Sequence, residues 1–263
     1  MKNLFTLLFL FSAFTSNAQE SFFRGNNNYV APEIPATLIT TDLLLYLDAD
    51  NPASYPGSGN GNTWYDLSAN LNHGTLSTIA IANTASTPKK FTFDGTTGTN
   101  VSFNTAKFNV TYTGKTVMFA AKMEASGNLY RALFGSSEGR NFNFYLMKSG
   151  SSDYKLHFSS TGPNWVNSMG WESDVVQLAT GQWYVFAFTH DATSARFFLN
   201  GQLVGTTTGT TILQYQTTLV GERLGGGDNY WKGDINTALI YKRGLSNTEI
   251  LQNFNAIKSR FGL

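Results

Sequence analysis

The chain has 263 residues, of which 41% are hydrophobic, 14% aromatic and only 13% charged, and its formal net charge is +1. A chain of this length and apolar content can bury a large core, so the composition excludes a largely disordered protein. The near-neutral charge, with Lys and Arg mostly scattered singly, excludes the basic surface that a nucleic-acid partner requires. The sequence contains no cysteine, which removes disulfides as a stabilising device and a thiol as a nucleophile.

The first 18 residues have the pattern of a secretory signal peptide. Lys2 provides a positive start, an apolar run follows from 4 to 14, and small residues precede a cleavage site after Ala18. The apolar run is shorter than the roughly 20 residues that a membrane-spanning helix needs. We therefore predict a secreted or extracellular protein, at the cell surface or in the periplasm in some cell types, with no membrane insertion after signal cleavage.

A polar lead-in and a single folded domain follow this segment. Residues 19–40 contain Pro32, Pro35 and a run of asparagines, which indicates an extended segment. From 41 to 263, short apolar and aromatic runs alternate with clusters of Gly, Ser, Asn and Asp, which predicts about a dozen strands. The main predicted strands are 42–47, 91–93, 101–103, 116–123, 130–134, 142–147, 154–158, 183–190, 196–199, 217–221 and 235–241.

The stretch 183–206 predicts three consecutive antiparallel strands. Its sequence is WYVFAFTHDATSARFFLNGQLVGT, in which Asn200-Gly201 favours a tight two-residue hairpin turn. Residues 183–188 are apolar on both faces of the predicted strand. Such a strand is covered on both sides, as in a sandwich of two sheets.

The chain ends with a short predicted helix. Ser246 and Glu249 form a capping box, and Gly262 lies just past the end. The apolar face of this helix consists of Ile250, Phe254 and Ile257. Together these patterns predict an all-β fold, a two-sheet antiparallel jelly-roll sandwich with one short C-terminal helix.

Five segments in this order resemble the laminin-G-like branch of the concanavalin A-like lectin/glucanase superfamily. The segments are LLYLDA at 44–49, WYDLSANLNHGTL at 64–76, FTFDG at 91–95, the stretch 183–206, and the region 231–262. The resemblance implies a two-sheet jelly roll, in which Trp64 and Asp66 of the second segment are scaffold residues. It also implies a range of functions, from carbohydrate-binding modules and adhesion domains to glycanases.

Many laminin-G-like domains hold a structural calcium ion. The resemblance places its acidic ligands just after the Phe-Asp-Gly turn, where this chain has Thr97, Thr99 and Asn100, and in a Gly-x-Ile-Asp stretch, where it has Asn236. An amide oxygen is able to bind calcium, but the loss of carboxylates weakens a site for a hard cation. A structural calcium ion therefore stays one possibility for a cofactor, with no ligand set assigned.

No catalytic motif stands out in the sequence. Glycanases of this superfamily carry carboxylates at alternate positions of one strand in a Glu-x-Asp-x-Glu motif or a close variant, and this motif is absent. Glu172 with Asp174 is the nearest approach to a pair, and charge on a loop surface is the better explanation of it. The three histidines match no zinc pattern, and no Gly-x-Ser-x-Gly elbow occurs. A non-catalytic protein is expected, although carboxylates from separate strands stay an open alternative.

Aromatic residues in loops are the candidates for ligand binding. Aromatic rings stack on the apolar faces of sugars, and two irregular regions, 159–174 and 223–231, carry such rings beside polar groups. The predicted ligand residues are Trp165, Trp171, Arg223, Asp228, Asn229, Tyr230 and Trp231, with Asn164 as a further polar contact. The alternative is that these rings close the ends of the sandwich.

The expected function is that of a secreted, non-catalytic carbohydrate-binding or adhesion module. Its partner is then a polysaccharide or glycan, or a surface protein. Two alternatives stay open: a glycoside hydrolase or lyase of the same superfamily, and a structural component that binds another protein in an extracellular assembly.

Overall fold

A computed structural model describes residues 38–57, 61–77, 81–83, 85–104, 108, 111–112, 114–125, 129–136, 143–160, 169–191, 193–208, 213–214, 218–222 and 229–263. These residues form two large antiparallel sheets, a small two-stranded sheet and one C-terminal α-helix. The predicted fold class is therefore confirmed. Within these ranges, no helix is long and apolar enough to cross a membrane.

The strands are numbered in chain order. They are β1 (Leu43–Asp48), β2 (Thr63–Trp64), β3 (Gly74–Leu76), β4 (Ile81–Asn83), β5 (Lys90–Asp94), β6 (Val101–Ser102), β7 (Thr111–Tyr112), β8 (Lys115–Met123), β9 (Tyr130–Ser136), β10 (Asn143–Lys148), β11 (Asp153–Ser160), β12 (Met169–Glu172), β13 (Val176–Gln177), β14 (Trp183–His190), β15 (Ser194–Leu199), β16 (Gln202–Thr208), β17 (Leu213–Gln214), β18 (Thr218–Val220) and β19 (Lys232–Tyr241). The helix α1 spans Asn247–Ile257 and continues into a 3-10 turn at Lys258–Phe261.

The two large sheets form the layers of the sandwich. The eight-stranded sheet has the spatial order β16-β15-β14-β8-β19-β5-β4, and β1 pairs with the C-terminal half of β19. The nine-stranded sheet has the order β12-β11-β10-β9-β18-β6-β3-β2, and β13 pairs with β11. Consecutive strands such as β8 and β9 lie in different sheets. The chain therefore crosses repeatedly between the layers, as expected for a jelly roll.

Aromatic side chains fill the space between the sheets. The ring of Phe188 on β14 stacks on Phe158 of β11, with centroids 4.3 Å apart and planes 11° from parallel. Phe144 of β10 lies 6.1 Å from the same Phe188 ring. All three side chains are fully buried. Because burial of one such side chain contributes roughly 1.5–3 kcal/mol, this aromatic layer contributes strongly to holding the two sheets together.

The helix covers the opposite face of the eight-stranded sheet. Val185 and Ala187 of β14 form a second buried cluster with Ile250 and Phe254 of α1. Successive residues of a strand point to opposite faces, so β14 contributes to both buried layers. The prediction that this strand is covered on both sides is confirmed.

Two turns have the local structure that the sequence predicts. The Ser246 side chain accepts a hydrogen bond from the backbone N–H of Glu249, and the Glu249 carboxylate accepts one from the backbone N–H of Ser246. Asn200 and Gly201 have φ values of 50° and 75°, as a two-residue hairpin turn requires. A Cβ atom on Gly201 would lie 2.8 Å from the Phe254 ring, so this turn also packs closely against the helix.

The described part of the chain contains seven strands of two to four residues that the sequence does not predict, namely β2, β3, β4, β7, β12, β13 and β17, and one predicted strand, β19, starts early. The sequence predicts an irregular loop over 159–174, but 169–172 form β12, which pairs with β11. A four-residue strand is too short to show a hydrophobic period, and its conformation is determined by its partner strand. β19 begins at Lys232, three residues before the predicted start at Ile235, because its first residues pair with β5 and β8 ahead of a bulge.

Asp66 is a buried polar anchor beside the first strand. Its carboxylate accepts hydrogen bonds from the backbone N–H groups of Tyr46, Ser68 and Asn72 and from the Ser68 hydroxyl. The neighbouring Trp64 is fully buried in the core between the sheets. Both residues therefore have the scaffold role that the resemblance implies.

Lys115 makes the stability of the fold depend on pH. It is fully buried at the start of β8, and burial lowers its pKa from 10.5 to about 6. Between these pH values the unfolded chain binds a proton on this amine and the folded chain does not. The free energy of unfolding therefore rises with pH, by up to about 1.4 kcal/mol per pH unit. We expect Lys115→Met to remove this rise, as measured by urea unfolding across this pH range.

Lys122→Met is the matched control for this substitution. Lys122 lies on the same strand, but its ammonium group is 2.8 Å from the Asp234 carboxylate and is charged in the folded state. We expect this variant to keep the wild-type rise of stability with pH. A difference in stability between wild type and Lys115→Met that is constant across the pH range would contradict the assignment.

Candidate functional site

The loops proposed from sequence as a ligand site leave the nine-stranded sheet at opposite ends. β11 runs antiparallel to β10, β10 to β9, and β9 to β18. β11 and β18 therefore run in opposite directions, so Ser160 at the end of β11 and Val220 at the end of β18 lie at opposite ends of the sheet. These positions do not support a single site formed by the loop after β11 together with the loop after β18.

Several of the predicted ligand residues lie where the structure gives no side-chain description. Trp165, Arg223 and Asp228, together with Asn164, are outside the described residues. Trp171 lies in β12, where its backbone pairs with β11, but its side chain is outside the described part of the chain. The proposed role of these residues in ligand binding stays a prediction.

Trp231 is a core residue and not a surface platform. Its side chain is fully buried between the sheets, and its ring lies 6.4 Å from that of Phe186. A fully buried ring offers no face to a sugar, so its assignment to the ligand site was wrong. The reason is strand geometry, because Trp231 and Ile235 are four residues apart and both point into the core. Asn229 is also buried, with 5% of its surface exposed.

Tyr230 belongs to a polar cluster that joins two turns. Its hydroxyl accepts a hydrogen bond of 2.6 Å from the Thr97 hydroxyl, and its backbone bridges to that of Glu222. The Glu222 side chain is fully buried, and its Oε2 accepts hydrogen bonds from the Gly98 backbone N–H and the Asn100 side chain. Tyr230 is half-buried, so its role in ligand binding stays a prediction.

A row of aromatic and charged side chains crosses the outer face of the nine-stranded sheet. It is called the outer-face row and consists of Tyr130 on β9, Tyr145 on β10, Lys155 and His157 on β11, and Glu172 on β12. The rings of Tyr130 and Tyr145 meet edge to face, with centroids 5.6 Å apart. The Tyr145 ring stacks on His157, with centroids 4.6 Å apart. Tyr145 is only 6% exposed and forms the floor of the row.

Glu172 connects two other members of this row, Lys155 and His157. Its Oε2 accepts a hydrogen bond of 2.7 Å from Lys155 Nζ, and its Oε1 lies 3.2 Å from His157 Nδ1. The hydrogen bond from Lys155 lowers the pKa of Glu172, partial burial opposes this change, and the charges of Lys155 and His157 add to the lowering. Glu172 is therefore ionised near neutral pH, which is the opposite of what a general acid requires.

Asp174, the other carboxylate of the pair considered from sequence, is anchored to the opposite sheet through its backbone. It lies beyond the end of β12, and its backbone N–H donates a hydrogen bond of 3.0 Å to the carbonyl oxygen of Val204 in the other sheet. The sequence did not reveal the outer-face row, because its members come from four strands and each taken alone resembles an ordinary surface residue. The alternation of Tyr145 and His157 with buried neighbours is the only local signal for it.

The residues present do not fit the calcium site that the resemblance implies. The Thr99 hydroxyl donates to Asp94, and the Asn100 amide donates to Glu222. Asn236 also directs its amide N–H groups at neighbouring oxygens. Calcium needs six to eight oxygen ligands, but these side chains act as donors to protein oxygens. Among the described residues, no group of three His, Asp or Glu side chains is arranged to hold a metal ion.

The sequence matches a known protein family over more than half of its length. The model of Laminin_G_3, in the Concanavalin A-like lectin/glucanases superfamily, matches residues 94–251. The chain belongs to this family. The matched range begins at the end of β5 and reaches into α1, so it includes strands of both large sheets. A comparison with curated proteins gives no match.

Solved structures of low sequence identity share this fold. The binding domain of Paraclostridial Mosquitocidal Protein 1 matches with a TM-score of 0.64 and 12% identity, over 82% of this chain and 52% of that chain. Domain 4 of AbnA, a GH43 extracellular arabinanase from Geobacillus stearothermophilus, was solved in complex with arabinotriose. It matches with a TM-score of 0.60 and 16% identity, over 81% of this chain and 98% of that chain.

The binding domain of botulinum neurotoxin serotype G is a third structure of this kind. It matches with a TM-score of 0.60 and 14% identity, over 81% of this chain and 50% of that chain. The chain therefore spans about half the length of the two toxin domains and nearly all of AbnA domain 4. At these identities the likeness shows the fold alone.

Substitutions of Trp231 separate a core role from a ligand role. We expect Trp231→Ala to lower the free energy of unfolding by about 3–5 kcal/mol, because truncation leaves a large cavity in the core. We expect Trp231→Phe to refill most of that space, to cost less stability and to keep wild-type ligand binding. Chemical unfolding and binding assays on the folded proteins measure both effects. A Trp231→Phe protein with wild-type stability and no ligand binding would contradict the core assignment.

Proposed function

We propose that this chain is an exported, non-catalytic carbohydrate-binding or adhesion module, and that the outer-face row is part of its glycan contact. One observation carries the proposal: Tyr130 and the Lys155–Glu172 ion pair lie on the same face of the nine-stranded sheet and are joined by the contacts of Tyr145 and His157 between them. Sugars present apolar C–H faces and many hydroxyl groups, and this combination matches both.

The charged pair of the row has capacity for further hydrogen bonds. The side chains of Lys155 and Glu172 are 30% and 34% exposed. An ammonium group has three N–H donors and a carboxylate has about four acceptor positions, whereas the Lys155–Glu172 contact uses one of each. The remaining positions suit the paired hydroxyls of a sugar ring. Because Lys155 and Glu172 neutralise each other, this part of the row favours a neutral glycan.

Membership of the family and the similar structures support a binding role. AbnA domain 4 was solved with an arabinose oligosaccharide, and the two toxin structures are binding domains. The predicted residues Trp165 and Trp171 belong to the segment that follows β11 and includes β12. β11 carries His157, and β12 carries Glu172. We keep Trp165 as an additional sugar contact of the proposed site. Trp171 alternates with Glu172 along β12 and pairs with the core residue Phe158, so it is not counted in the outer-face row. The predicted signal peptide supports export.

Binding to a glycan array tests the proposal. We expect selective binding to one class of oligosaccharide. Tyr130→Ala and Lys155→Met should each weaken it about tenfold, because each removes one contact worth about 1.4 kcal/mol. Isothermal titration with the best glycan measures the change.

Tyr65→Ala is the matched control for the glycan test. Tyr65 is another half-buried tyrosine, but it follows β2 at the opposite edge of the same sheet. It should bind the glycan as the wild type does. An array without any hit, together with co-purification of one protein partner, would favour the alternative of a structural interaction component.

The alternative of a glycoside hydrolase or lyase is tested through Glu172. We expect no release of reducing ends or unsaturated products from a polysaccharide panel by the wild-type protein, because Lys155 holds Glu172 ionised and a general acid has to be protonated. Product release that Glu172→Gln abolishes, with unchanged glycan binding, would establish the enzyme instead.

A further inference from the structure

We propose that this chain is a calcium-independent member of its family, in which hydrogen-bond donors of its own side chains supply the positive character that a structural calcium ion supplies elsewhere. The Asn236 amide and the ammonium groups of Lys90 and Lys122 carry this role. The inference is independent of the proposed glycan contact, because all three residues lie on the eight-stranded sheet.

The NH₂ group of Asn236 faces two oxygen atoms that only accept hydrogen bonds. Its Nδ2 donates to Asp50 Oδ2 at 2.8 Å and to the carbonyl oxygen of Lys89 at 2.6 Å. Its Oδ1 accepts a hydrogen bond of 2.6 Å from the Thr237 hydroxyl. A carboxylate and a carbonyl accept only, so the NH₂ group has to face them and the orientation of the amide is determined.

An aspartate at position 236 would place a carboxylate against these same oxygens and would have no N–H group to donate to them. Asn236 is fully buried, and the Asp50 carboxylate is already used by the backbone N–H of Lys89. Arg260 Nη1, 3.8 Å from Asp50 Oδ2, offsets part of this charge from one side, but two carboxylates in contact with each other and with a carbonyl oxygen repel unless a cation lies between them. Such a group of oxygens is the ligand chemistry that calcium prefers. An amide at this position therefore leaves no need for an ion.

The carboxylate of Asp234, two residues earlier, is neutralised by lysines. It is 2% exposed, and its Oδ2 lies 2.5 Å from Lys90 Nζ and 2.8 Å from Lys122 Nζ. Its Oδ1 accepts a hydrogen bond of 2.7 Å from the Thr92 hydroxyl. Both oxygens are thus satisfied by groups of this chain. A calcium ion would have to displace two ammonium groups to reach this carboxylate.

Thermal unfolding of the full chain in excess EDTA and in excess CaCl₂ tests the inference. We expect the wild-type melting temperature to be the same in both solutions and calorimetric titration with CaCl₂ to give no binding heat. We expect Asn236→Asp to melt well below wild type in EDTA and to regain about 5 °C or more in CaCl₂, since a ligand that binds only the folded state stabilises it.

Asn236→Ser is the matched control, because it removes the amide without adding a carboxylate. Its loss of melting temperature should be equal in EDTA and in CaCl₂. If Asn236→Asp does not fold in either solution, the wild-type titration decides. Calcium binding by the wild type, a lower wild-type melting temperature in EDTA, or a folded Asn236→Asp that ignores calcium would each overturn the inference.

Discussion

The fold depends on removing both faces of the eight-stranded sheet from water. β14 is the clearest case, because Phe186 and Phe188 point into the space between the sheets while Val185 and Ala187 point toward the helix. A single sheet with one wet face would leave half of these side chains exposed. The second sheet covers one face and α1 covers the other, so the C-terminal helix is a structural layer of the domain and not an appendage.

This constraint also gives the two faces of the nine-stranded sheet different roles, because one face packs in the core and the other carries the proposed glycan contact. The nine-stranded sheet covers its partner with only one of its faces, which leaves the residues at alternate positions of β9 to β12 on the outside. Those positions hold the outer-face row, whereas the intervening positions of the same strands hold Phe144 and Phe158 in the core. One set of strands therefore supplies both the packing and the chemistry. The rigid core holds the outer side chains in a fixed arrangement, as a binding surface requires.

Much of this fold was predictable because its signals are local. The apolar run of β14, the Asn200-Gly201 turn and the capping box of Ser246 each specify their own conformation within a few residues. The short strand β12 was not predictable, because its pairing with β11 determines it. The outer-face row was even harder to predict from the sequence. Stacking of Tyr145 on His157 joins two strands, and no spacing within either strand shows it.

Aromatic residues were misleading as a guide to the ligand site where the face of the strand to which they point was not considered. Trp231 follows a glycine-rich segment and resembles a loop residue. It directly precedes β19, however, and its ring lies in the core, as does Ile235 four residues later. By the same rule, the neighbours of the buried Phe144 and Phe158 along their strands, Tyr145 and His157, point to the outer face of the sheet. Strand parity is thus a better guide to ligand residues in a sandwich than the presence of a tryptophan.

Charge pairing distinguishes the carboxylates described above from the catalytic carboxyl groups of a glycanase. A glycanase needs one carboxyl group protonated beside one that is ionised, which requires burial or a like charge close by. Glu172 has the reverse surroundings, with Lys155 at 2.7 Å and His157 at 3.2 Å, and Asp234 is likewise enclosed by two lysines. Each of these carboxylates is stabilised as an anion by permanent or titratable cations of the chain. Groups held in this way bind and orient polar partners, but they do not donate protons near neutral pH.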